Sequence, residues 1–68
     1  MADKTYTVTG MTCDHCVNSV RTEVSGVAGV QAVAVDLASG RVTVSGDGFS
    51  DEQVRAAVDE AGYALADA

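Results

Sequence analysis

The chain has 68 residues, with ten Asp and Glu against four Lys and Arg, for a formal net charge of −6. That length holds one small domain, 1–68, and four scattered basic residues exclude the basic face that sequence-independent nucleic-acid binding needs. Two cysteines are fewer than a disulfide-stapled secreted mini-protein carries, and there is no run of about 20 apolar residues to span a membrane.

The opening MADKTYTV lacks a charged region followed by an apolar one. The chain is therefore expected to be the mature product, cytoplasmic, with reduced thiols. Residues 4–9 read as a strand, because Tyr6 and Val8 alternate with Thr5, Thr7 and Thr9. Gly10 breaks that pattern. Residues 16–25 read as a helix, with Val17, Val20, Val24 and Val27 on one apolar stripe. Asp14 is expected to cap its N-terminus, and Gly26 and Gly29 to end it.

Residues 30–37 read as a strand with Val33, Val35 and Leu37 inward, and Ala38-Ser39-Gly40 as a hairpin turn. Residues 41–45 return with Val42 and Val44 inward, and Gly46-Asp47-Gly48 forms a loop. Ser50 and Gln53 have capping-box spacing, and Phe49 is placed to staple onto Val54. Val54, Ala57, Val58 and Ala61 form the stripe of this second helix, which Gly62 stops. Residues 63–66 complete the chain as a short strand. The order β-α-β-β-α-β is that of an α+β ferredoxin-like sandwich, with a largely antiparallel four-stranded sheet and two helices on one face. The first and third strands are expected to lie side by side and parallel. A core of this size supplies about 3–5 kcal/mol, so the domain is expected to fold, narrowly, without a metal.

The chemistry lies in Gly10-Met11-Thr12-Cys13-Asp14-His15-Cys16. Free N–H groups at a helix start favour thiolate, and the spacing lets two sulfurs converge on one ion. Two soft thiolates favour Cu(I), whereas structural Zn(II) wants four ligands and no second pair is present. A C-x-x-C pair alone also fits a thioredoxin-like redox pair, half a zinc ribbon or incidental buried cysteine. The chain is too short for a thioredoxin fold, the other half of a ribbon is missing, and Asp14 and His15 oppose burial.

This stretch resembles the G-M-[ST]-C-x-x-C motif of the heavy-metal-associated domain family. The resemblance extends through Val33-Ala34-Val35-Asp36-Leu37, Gly40-Arg41-Val42-Thr43-Val44 and Ala61-Gly62-Tyr63. Within the family, His15 and Tyr63 are similar to the pattern of bacterial copper chaperones. The resemblance implies Cys13 and Cys16 as the Cu(I) ligands and Met11 as a loop anchor turned into the core. Thr12 either hydrogen-bonds the loop or stays solvated. His15 is either an exposed first-turn residue or a third ligand when two molecules share copper. Tyr63 would face the metal loop, donating toward a cysteine sulfur or packing at the rim. Many eukaryotic members carry Lys there and a basic recognition face, and this chain has neither.

The implied function is a non-enzymatic copper chaperone passing Cu(I) to the metal-binding domain of a copper-transporting P-type ATPase. The expected protein is a monomer when metal-free, with a copper-bridged dimer left open, and it neither binds nucleic acid nor inserts into a membrane. The alternatives are a metal-binding domain of a longer ATPase or sensor, a mercury-binding relative, and a thiol-disulfide enzyme.

Overall fold

The computed structural model describes residues 2–66; Met1, Asp67 and Ala68 lie outside the described residues. Six elements follow in order: β1 (Ala2–Thr9), α1 (Asp14–Ser25), β2 (Val30–Asp36), β3 (Arg41–Gly46), α2 (Asp51–Glu60) and β4 (Ala64–Leu65). The strands form one sheet in the order β2-β3-β1-β4.

Every neighbouring pair is antiparallel. The expectation that the first and third strands run parallel is therefore corrected. The α1 crossover leaves β2 parallel to β1 but one place away. The hairpin then returns β3 into the gap between them, antiparallel to both. This topology turns the β-α-β rule into a statement about β1 and β2, with β3 inserted.

Register places Tyr6 beside Val42 and Val42 beside Val35, so one face carries a continuous apolar row. Both helices lay their stripes on that face: Val20, Val24, Val54, Ala57 and Val58 share one buried cluster with Tyr6, Val8, Val42 and Val44. Six of these residues, Val20, Val24, Val42, Val44, Val54 and Val58, are wholly buried. A core of β-branched side chains with few rotamers packs with little loss of side-chain entropy. Val33, Val35 and Leu37 are only half-buried, because β2 is an edge strand.

The first helix begins two residues earlier than the apolar stripe implies. Asp14 is its first residue and not its cap. Cys13 occupies the N-cap in extended conformation, and no side chain caps the helix. The second helix has both halves of its capping box: the Ser50 N–H donates to Gln53 Oε1 at 2.9 Å, and the Gln53 N–H donates to Ser50 Oγ at 3.3 Å. Phe49 packs half-buried against the core.

Candidate metal centre

The loop between β1 and α1 leaves the sheet at Gly10, whose φ is +92°. Positive φ is costly for residues with a Cβ, so the chain turns there at a glycine. Met11 follows, half-buried and packed on the core cluster. It ties the middle of the loop to the hydrophobic interior, as a flexible thioether suits. Thr12 and Cys13 are exposed, and Cys16 is half-buried in the first turn of α1. The Cys13 carbonyl accepts from the N–H groups of Cys16 and Val17, at 3.1 and 3.2 Å, which starts the helix and orients both cysteines.

Both cysteines are free, and their sulfurs stand 3.4 Å apart. A metal–thiolate bond is about 2.3 Å, so one ion is within reach of both sulfurs. The Thr12 hydroxyl lies 3.9 Å from Cys16 Sγ. The Cys16 thiol is lowered to about 6, first by hydrogen bonding from the Thr12 backbone amide. The Tyr63 hydroxyl and the Cys13 thiol contribute further, and burial opposes them. At neutral pH Cys16 is therefore largely thiolate, the form that binds soft metals. Tyr63 is shifted the other way: donating to Cys16 pushes its phenol up, as do burial and the nearby thiols. The Tyr63–Cys16 hydrogen bond enters both shifts: it leads for Tyr63 and comes second to the Thr12 amide for Cys16.

Tyr63 is delivered to this place by the end of α2. The Gly62 N–H donates to the Asp59 carbonyl at 2.9 Å and the Tyr63 N–H to the Val58 carbonyl at 3.1 Å. This is a Schellman turn with Gly62 at φ +95°.

His15 is exposed, and it lines a shallow depression between the helices with Asn18, Ser19, Thr22, Glu23 and Glu60. Its carbonyl accepts from Ser19 Oγ at 3.0 Å. Among the described residues, no three His, Cys, Asp or Glu side chains gather where they could hold a metal ion. The structure therefore brings Cys13, Cys16, Thr12 and Tyr63 together, packs Met11 on the core beside them, and leaves His15 exposed and outside any such ligand group among the described residues. The contribution of the Thr12 backbone amide was not readable beforehand, because no residue type announces it. The arrangement offers two soft sulfurs side by side at the start of α1, one exposed and one half-buried.

Comparison with known proteins agrees with this geometry. Over 68 residues the chain is 43% identical to the copper chaperone CopZ of Bacillus subtilis, covering 97% of this chain and 99% of that one. It is 40% identical over 58 residues to human copper-transporting ATPase 2, covering 82% of this chain but 4% of the ATPase. A solved CopZ metallochaperone superposes with a TM-score of 0.90 at 29% identity, covering 94% of this chain and 98% of that one. Residues 5–64 match the model of the heavy-metal-associated domain, and the chain belongs to that family.

Proposed function

We propose that the protein is a cytoplasmic copper chaperone, which binds Cu(I) between Cys13 and Cys16 and releases it to a copper-transporting P-type ATPase. The observation that carries this reading is the pair of sulfurs 3.4 Å apart, with no third protein ligand gathered beside them among the described residues. Cu(I) accepts two soft ligands, whereas structural zinc requires four. The 43% identity to a copper chaperone over 68 residues supports the chaperone reading.

The transfer follows from the asymmetry of the ligands. A thiolate of the acceptor bonds to the bound ion from the open side, giving a three-sulfur intermediate. The exposed Cys13 then leaves, a second acceptor thiolate bonds, and Cys16 leaves last. Copper stays Cu(I) throughout, and the released sulfurs re-equilibrate with solvent protons, Cys16 remaining largely thiolate at neutral pH. No bond of a substrate is made or broken, so the protein acts as a carrier and not as an enzyme.

A competition titration under anaerobic conditions tests this. The reduced protein is expected to bind Cu(I) far more tightly than Zn(II), and Cys13→Ser and Cys16→Ser each to abolish tight binding. Equal or preferential Zn(II) binding against a calibrated chelator overturns the copper assignment. The second reading, a domain of a longer copper ATPase, draws on the 40% identity to a segment of such a pump. The mass of the intact cellular protein separates the two.

A further inference from the structure

The β1–β4 ladder ends with Thr9 opposite Ala64. Continuing that antiparallel register by one step sets Gly10 opposite Tyr63. The glycine has no side chain to present to its cross-strand neighbour, and the ring occupies the space. A Cβ built on Gly10 would stand 3.3 Å from Tyr63 Cδ1 and 4.0 Å from Cε1. The first distance is inside ordinary carbon–carbon contact of about 3.5–4.0 Å. An aromatic ring laid over a cross-strand glycine is a known way to complete a sheet edge.

Both ends of the ring's path are fixed independently. The Schellman turn holds the backbone of Tyr63 through Val58 and Asp59. The Thr9 hydroxyl donates to the Ala64 carbonyl at 3.3 Å, closing the ladder beside it. With that backbone held, the ring lies over the bare α-carbon of Gly10, and its hydroxyl is turned toward Cys16.

We propose that Gly10 is a positioning residue for the metal loop: its missing side chain is the seat of the Tyr63 ring, and this seat holds the phenol over the Cys16 sulfur as a cover. The inference rests on the copper-carrier reading for its consequence, but not for its geometry. A side chain at position 10 displaces the ring by a few tenths of an ångström or more, lifts the hydroxyl from the sulfur, and opens Cys16 to incoming thiols. In copper transfer, the cover sets how readily an acceptor reaches the second ligand.

Proton NMR of the metal-free protein tests the seat directly. The Gly10 α-protons should be shifted by the ring current in the wild type and in Tyr63→Phe, and should lose that shift in Tyr63→Leu. An unshifted Gly10 in the wild type, or an unchanged one in Tyr63→Leu, overturns the proposal. This comparison stands even if Gly10→Ala fails to fold, or if the wild type binds no copper. A double-mutant cycle tests the consequence. Gly10→Ala should speed extraction of Cu(I) by a chelator several-fold, and clearly less in the Tyr63→Leu background. Backbone strain at φ +92° acts equally in both backgrounds. Equal acceleration in the two backgrounds assigns the effect to strain and overturns the positioning role, as does no acceleration in either.

Discussion

Cys16 and Cys13 are chemically the same residue placed in different circumstances. Cys13 sits at the helix cap and is exposed, whereas Cys16 is half-buried and faces the Thr12 amide and the Tyr63 hydroxyl. The lowered Cys16 value of about 6 gives a pH signature. Alkylation of Cys16 by iodoacetamide, followed by peptide mass spectrometry, should rise as pH passes through about 6 and level off near neutrality. Tyr63→Phe removes one of the stabilising donors, so the curve should move to higher pH. The sign for stability follows. A thiol whose folded value is depressed stabilises the fold fully above its unfolded value of about 8.5, and loses that contribution as pH falls toward 6. The closeness of the two sulfurs was legible in the sequence, because C-x-x-C spacing is local. Their inequality was not, since it depends on Tyr63, which is distant in the chain, and on a backbone amide.

At the scale of elements, the helices were the most legible parts. The Val17, Val20 and Val24 stripe is buried as its spacing implies, and Ser50 and Gln53 close the box their spacing announces. Local periodicity and capping rules act within one turn, so one stretch of sequence contains the whole argument. Ser50→Ala should lower stability by about 1 kcal/mol, read as a shift of the urea midpoint. A second link joins α2 to β1: the Tyr6 hydroxyl donates to Asp51 Oδ1 at 2.6 Å, and Lys4 Nζ lies 3.1 Å from the same oxygen. Tyr6 and then Lys4 hold the Asp51 carboxyl below its usual range. A depressed carboxylate stabilises above its unfolded value and loses that contribution as pH falls through the folded one. Asp51→Asn should therefore lower the urea midpoint at neutral pH and flatten its decline below about pH 4. The N-terminus of α1 was less legible, because the residue type best suited to capping, Asp14, fell one position inside the helix.

For the whole molecule, strand direction and edge burial were the parts that sequence reading missed or softened. Which strands meet is decided by a crossover and a hairpin together, and neither is visible within a single segment. The interlock between the approach to β2 and the end of β3 is another nonlocal feature. A Cβ on Gly46 would fall 2.0 Å from the Gly29 carbonyl oxygen, which itself accepts from the Asp47 N–H at 2.9 Å. Backbone, not a yielding side chain, fills that space. Gly46→Ala should therefore destabilise the protein by about 2–3 kcal/mol, most of what so small a core supplies. A thermal melt followed by circular dichroism reads this; an unchanged melting temperature would mean the two backbones separate without strain.

The two sulfurs are three residues apart, so they remain neighbours even when the chain unfolds. The Thr12 amide alignment and the Tyr63 cover exist only in the folded form. A ligand raises stability only by the difference between its affinities for the native and the unfolded chain. Cargo bound by so local a pair gains little from the fold beyond those few contacts, and gives little back. Loading should raise the melting temperature far less than the tightness of binding suggests. Valines, glycine contacts and caps maintain the domain, so its fold does not hang on an ion held between the two sulfurs.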